Sequence, residues 1–293
     1  MGSFEKPSRN PFSALERIVA AAPPASKLAA AILLALAVAI FMTETYVFPF
    51  DGLTRYRGDE YSDVGQMVWN LWTTAESVLA LRDPLATDLV YHPLGADLST
   101  HTLSAGYVPI ALAAKLFSGG SPMYPIYAYN ATTLFAFAAA LLFSFLALRE
   151  ARFGLAASAV PALGYAFCDF FYLHWLHFNL LGAFTLPLSA WLFLRLWNRT
   201  TAGRLLAFVA AVAWSVYVTE FALSICMAGL LFLLASLALP SLRRDLVKRA
   251  RALGAVDIAL AVGLFCLCAA PFALAFFRSE AVAPPDIDFH QNS

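Results

Sequence analysis

Apolar residues along this chain come in long uninterrupted runs, and the polar residues gather between them. Seven runs read as membrane spans: Leu28–Phe48, Ile126–Leu148, Leu155–Phe171, Leu180–Leu196, Leu205–Thr219, Phe221–Leu239 and Ala255–Phe277. In hydrocarbon, backbone polar groups can pair only within a helix or around a closed barrel. The period-two alternation of barrel strands is absent, so each run predicts a helix. Thr102–Phe117 is ambiguous on pattern alone. It reads as a short eighth span or as a helix lying at the membrane surface.

Basic residues decide between these, because they collect on the cytoplasmic side of a membrane protein. With seven spans and a cytoplasmic N-terminus, fourteen of the nineteen lysines and arginines fall inside, including the five of the SLRRDLVKRAR segment. Only Arg55, Arg57, Arg82, Lys115 and Arg278 fall outside. An eighth span would carry that basic segment outward, so the seven-span reading is preferred. It divides the chain into a cytoplasmic leader over 1–27, a membrane module over 28–277 and an outer tail over 278–293. The expected location is the inner (plasma) membrane.

The outer side then holds one long loop, 49–125. From Val64 onward, Met67, Val68, Leu71, Trp72, Ala75, Val78 and Leu79 recur at helical spacing. Gln66, Asn70, Thr73, Thr74, Glu76 and Ser77 fill the other face. This predicts an amphipathic helix too polar to span, ended by Arg82-Asp83-Pro84. Thr102–Phe117 supplies a second interfacial or re-entrant helix. The fold class is therefore all-α integral membrane, with about seven transmembrane helices and two interfacial helices in the first outer loop.

Composition agrees. Of 293 residues, 61% are hydrophobic and only 13% charged, against about 25% charged in a soluble domain, so lipid must be much of the solvent. Net charge is zero and the bases are scattered, which argues against a nucleic-acid partner. The four cysteines sit in apolar runs and read as packing residues.

Acids near apolar spans are costly and mark candidate sites. Glu44, Asp169 and Glu220 all fall toward the outer side. The span before Glu220 is short, so Glu220 is expected below the surface, lining a cavity. Asp257 lies at the opposite end, facing water or Arg251. The densest polar cluster is Arg55-Tyr56-Arg57-Gly58-Asp59-Glu60-Tyr61-Ser62-Asp63. On a helix, Asp59 and Asp63 share a face. Paired carboxylates suit a general base or a divalent cation, and the arginines suit a phosphate. The same acids equally suit an N-terminal helix cap. A second group is His174-Trp175-Leu176-His177-Phe178-Asn179, with His92 and His101 flanking a Pro/Gly turn. Hydrogen bonds to substrate or loop backbone are the preferred reading for these histidines, with a metal site as the alternative.

Together these motifs resemble the multispanning bacterial glycosyltransferases of the GT-C fold, in the group of mannosyl- or arabinosyltransferase-like proteins. The residues that carry the resemblance are Gly58-Asp59-Glu60-Tyr61-Ser62-Asp63, Trp69 to Trp72, Asp83-Pro84, Tyr91-His92-Pro93-Leu94-Gly95 with His101 after it, and His174, His177 and Asn179. It covers Leu28 to Phe277 as an N-terminal seven-span module. It implies Asp59 as catalytic base and an acidic Asp59-Glu60 pair, with a polyprenyl-phosphate-linked sugar as donor on the outer face. A glycan or lipid acceptor follows. Arg55, Arg57, Glu60, His101, His174, His177 and Glu220 are the expected substrate contacts, and Asp63 a ligand for a divalent cation, Mg or Mn. Two other classes fit the same layout: a polar-lipid transporter or flippase using the outer acids as a relay, and a non-catalytic membrane scaffold.

Overall fold

The computed structural model describes residues 24–48, 50, 63–90, 95–98 and 105–281, most of them helical. The chain enters through α1 (Pro24–Val47) and continues with α2 (Val64–Leu79). A minimal antiparallel ribbon of β1 (Ala86–Thr87) and β2 (Ala96–Asp97) follows, with Ala86 opposite Asp97 and Thr87 opposite Ala96. A single 3-10 turn (Ala105–Tyr107) leads into α3 (Val108–Phe117), and then α4 (Tyr124–Glu150) runs the height of the molecule. Next come α5 (Leu155–Ala166), α6 (Asp169–Leu173), α7 (Phe178–Leu181), a second 3-10 turn (Gly182–Phe184), α8 (Thr185–Asn198) and α9 (Ala202–Ser215). The described chain ends with α10 (Ala222–Ala238), α11 (Pro240–Ala252) and α12 (Ala255–Ala281).

Five stretches are long and apolar enough to cross a bilayer: Ala25–Val47, Tyr124–Glu150, Leu155–Leu173, Phe178–Asn198 and Ala255–Ala275. The pair α10–α11, bent by 112°, makes a sixth if counted as one span. The run expected as a span over Leu205–Thr219 forms α9, a helix of 14 residues, which rises only about 21 Å against a hydrocarbon core of about 30 Å. Leu33, Leu34 and Phe41 on α1, Leu223, Leu231 and Leu237 on α10, and Leu260, Leu267 and Leu274 on α12 are all exposed. Exposed apolar faces of this extent are at home in lipid. The architecture is consistent with an all-α, multi-pass membrane protein.

The centre is α4, packed against α1, α2, α3, α5 and α8. Ala128, Tyr129, Ala136, Phe137 and Ala140 are buried on several of its sides, which is why its sequence shows no apolar stripe. The Phe137 ring meets Phe167, Phe171 and Tyr172 at centroid separations of 5.4–5.8 Å. The 27 residues of α4 hold the two ends of the bundle about 40 Å apart. At one end Asn198 donates to Glu150, Arg204 donates to the Arg195 carbonyl, and Arg249 lies over the Trp197 ring and donates to its carbonyl. At the other end the helices are interrupted, and the polar side chains gather there. Asp257, at the basic end, accepts from the Gly254 backbone N–H at 3.1 Å and so caps the start of α12 rather than pairing with Arg251.

Between α9 and α10 the chain leaves the helix over Val216–Phe221 while Val218 and Thr219 stay buried. Buried backbone outside a helix must find partners elsewhere. The Tyr217 carbonyl accepts from Gly106 N–H at 2.8 Å, and the Gly106 carbonyl accepts from the Trp214 indole at 2.9 Å. Such contact requires glycine. A Cβ on Gly106 would lie 2.9 Å from the Tyr217 oxygen, and one on Gly182 would lie 2.5 Å from Thr219 Cβ. Gly182→Ala is therefore expected to destabilise the protein by about 1–3 kcal/mol. Gly229→Ala, with nothing within 4 Å, should leave stability unchanged. Thermal unfolding of both variants in detergent checks this, and equal melting temperatures would refute the close-packing account.

Candidate functional site

The interrupted end of the bundle is organised around residues 174–179, where the chain leaves α6, turns and enters the one-turn helix α7; this stretch carries His174, His177 and Asn179. His177 Nε2–H donates to the Asp63 carboxylate at 2.7 Å, tying this stretch to the start of α2. The next carbonyl, of Phe178, accepts from the buried Tyr107 hydroxyl at 3.0 Å. Burial pushes the Tyr107 phenol up, so it stays a donor. Asn179 donates its amide to Glu220 at 2.8 Å, and its carbonyl accepts from the Thr219 hydroxyl at 2.5 Å. Three consecutive residues thus fasten α2, the 105–107 turn and the 216–221 turn to one another. The end of α1 joins them: Tyr46 packs on Tyr172 and Trp175, and the Tyr172 hydroxyl donates to the Met42 carbonyl at 3.1 Å.

Asp63 occupies the cap position of α2, yet its side chain makes no capping hydrogen bond there. The carboxylate is turned to His177 instead, so for this acid a pure capping role does not hold. The H-x-x-H pair does not converge. The two rings are 6.4 Å apart; His174 stacks on Phe170 and its Nδ1–H donates to the Phe170 carbonyl at 2.8 Å. Glu220 is exposed, not enclosed in a cavity as expected. Glu44 and Asp169 are likewise exposed. Arg55, Arg57, Asp59, Glu60 and His101 lie outside the described residues. Among the described residues no group of three or more His, Cys, Asp or Glu side chains could hold a metal ion. Among the described residues Asp63 and His177 are the two potential metal donors that the structure brings together at this point.

Sequence reasoning missed a second feature of this end. Glu76 on α2 accepts from Lys115 of α3 at 2.6 Å and from the Tyr124 hydroxyl at 2.7 Å. A lone lysine in an apolar segment and a lone acid on a half-apolar helix were the available signal. Beside this triad, between α2 and the β-ribbon, lies an open cavity of about 620 Å³. Its walls include Trp72, Thr73 and Glu76 from α2, Arg82 and Asp83 after it, Asp88 just after β1, and Asp97 of β2. The face of α2 read as polar is also the inward one. Asn70, Thr73, Thr74 and Ser77 are buried, while Trp72 and Leu79 are exposed.

Comparison with protein-family models, curated proteins and solved structures finds no match for this chain.

The Lys115 hydrogen bond, followed by that from Tyr124, holds the Glu76 carboxyl below its ordinary value of 4.5. A carboxylate with a depressed folded value stabilises the fold above its unfolded value, and that contribution is lost as pH falls through the folded one. Stability should therefore decline on acidification below about pH 4.5, and the decline should be shallower in Glu76→Gln. Melting temperatures of the two proteins between pH 7 and 3.5 provide the measurement; parallel curves would show that the triad does not couple to folding.

Proposed function

We propose that this protein is a membrane glycosyltransferase that moves a sugar from a polyprenyl-phosphate donor to an envelope glycan or lipid acceptor at the outer face, with inversion. One observation carries the reading. The His177–Asp63 hydrogen bond anchors the start of α2 in the polar hub, four residues after Asp59 and within reach of Arg55 and Arg57 along the chain. The sequence that leads into this anchored point carries the carboxylate of Asp59 and the guanidiniums of Arg55 and Arg57.

In this reading seven spans place the N-terminus inside and the C-terminus outside, and α2 and α3 lie at the outer interface. The Asp59 carboxylate takes the proton of an acceptor hydroxyl. The acceptor oxygen bonds to the anomeric carbon from the face opposite the phosphate. The bond from that carbon to the phosphate oxygen breaks, and its electron pair leaves on polyprenyl phosphate. Arg55 and Arg57 take up the charge of the departing phosphate. A divalent cation held by Asp63 would share that charge. The isoprenoid tail lies against the apolar helices, which accounts for soluble sugar chemistry being housed in a membrane protein.

Mass-spectrometric profiles of envelope glycans and polyprenyl-phosphate sugars test this in strains lacking the gene or carrying wild type, Asp59→Asn or Asp257→Asn. A sugar missing from the deletion strain should return with wild type and with Asp257→Asn. Asp59→Asn should fall short by about a hundredfold or more in rate, the range of a lost general base, with the lipid-linked donor accumulating. Full restoration by Asp59→Asn at equal membrane abundance would refute the assignment.

A further inference from the structure

Helix α11 owes its direction to Pro240. Proline has no N–H with which to extend a helix, and it disfavours helical backbone in the residue before it. Leu239 is accordingly extended, at φ −101° and ψ 108°, and the chain turns by 112° between α10 and α11. Leu223, Leu231 and Leu237 expose an apolar surface along α10 that suits lipid. A turn of this size therefore lays α11 across the axis of α10, along the membrane surface where α10 ends.

The sequence of α11 suits that position. Leu242, Leu246 and Leu253 are half-buried, while Arg243, Arg244, Lys248 and Arg251 are exposed. The four bases line a cleft of about 390 Å³ together with Val247. Among the described residues, none of their side chains forms an ion pair or hydrogen bond, and Asp245, the acid of this helix, pairs with none of them. Like charges gathered on one helix raise the local potential and favour an anion.

A second, independent feature adjoins the cleft. On the inward side of α11 an open apolar crevice of about 410 Å³ runs between α8, α9, α10 and α12, with walls that include Phe193, Trp197, Phe232, Leu246 and Phe265. The walls can be reached from outside. These five side chains are half-buried, and Ile258 and Val262 on the same crevice are exposed. Cleft and crevice meet on α11 itself: Ala250 lines the crevice and Val247, three residues earlier and a neighbour on the helix surface, lines the cleft. Arg249 is already committed, with its guanidinium 4.1 Å from the centre of the Trp197 ring and donating to the Trp197 carbonyl. It holds α11 against α8.

We propose that α11 and this crevice bind an anionic phospholipid of the surrounding bilayer, with the lipid phosphate on Arg243, Arg244, Lys248 and Arg251 and one acyl chain in the crevice. Basic helices at the membrane surface attract anionic headgroups, and the flexible stems of lysine and arginine carry their charge to headgroup level. The crevice, at about 410 Å³, falls in the range of roughly 300–1,000 Å³ that ligand pockets span. The site lies at the far end of α4 from the Asp63–His177 pair and does not depend on the transferase reading.

The test uses the full chain, stripped of lipid in detergent, and native mass spectrometry with phosphatidylglycerol and phosphatidylcholine carrying identical chains. Phosphatidylglycerol should bind at least tenfold more tightly. The combined variant Arg243→Gln, Arg244→Gln, Lys248→Gln and Arg251→Gln should bind the two lipids alike. Its lipid-free melting temperature should match wild type, because these side chains have no partners to lose. Ala250→Phe fills the crevice from an exposed position and should weaken both lipids at least fivefold. Glycerol 1-phosphate, which carries the headgroup charge without the chains, should not displace phosphatidylglycerol at millimolar concentration. Displacement would instead make this a site for free phosphate and overturn the proposal. Equal binding of the two lipids by wild type would do the same, as would an anionic preference that survives the combined variant or undiminished lipid binding by Ala250→Phe.

Discussion

Everything at the polar end of this bundle depends on the cost of leaving a backbone group unpaired in an apolar interior. The helices α6 to α10 are short and repeatedly interrupted, and each interruption exposes N–H and C=O groups that no water reaches cheaply. The chain meets that cost with side chains and with neighbouring backbone. Tyr107 donates to the Phe178 carbonyl, Tyr165 to the Ala183 carbonyl, Trp214 to Gly106 and Thr219 to Asn179. Gly106 and Gly182 allow the 216–221 turn to come close enough for this to work. The interruptions are therefore specified structure, and they place His177, Asn179 and Glu220 where a continuous helix would have hidden or dispersed them.

The same constraint explains what could be read in the sequence. Long apolar runs such as those of α1, α4 and α12 give their identity away by length alone, because nothing but a membrane helix fits them. The amphipathic period of α2 and the helical nature of Thr102–Phe117 were equally plain, although that segment starts as a 3-10 turn at Ala105. The orientation of α2 was not legible. A stripe of Met67, Leu71 and Ala75 marks a buried face, but nothing in the pattern says that Asn70, Thr73, Thr74 and Ser77 are buried beside it. In a soluble helix those residues would face water; here neighbouring helices cover them. Pairings across the chain, such as Lys115 with Glu76 or His177 with Asp63, are separated by 39 and 114 positions and leave no local signature at all.

The candidate site divides the same way. That the outer-end acids and the His174–Asn179 segment belong together followed from counting spans, and the structure does bring Asp63, His177, Asn179 and Glu220 to one end. Which acid meets which partner did not follow. Asp63 reads equally well as a helix cap, a metal ligand or a base, and only its 2.7 Å hydrogen bond to His177 removes the plain cap. Glu220 was expected to be enclosed because the preceding run is short. The helix α9 is indeed short, but the turn that follows it carries the chain outward, leaving Val218 and Thr219 inside and Glu220 exposed.

Charge separates the two ends of the bundle. The basic residues that meet α8 and α11 sit about 40 Å from the polar hub, the length of α4, too far for their field to survive screening across the aqueous surface. At the hub end the described cations are few, and one of them, Lys115, is already held by Glu76. In the transferase proposed above, the phosphate of the donor would draw on Arg55 and Arg57. The anchoring of Asp63 by His177 ties the start of α2 to the interrupted stretch between α6 and α7, and Asp59 stands four positions before that anchor in the sequence.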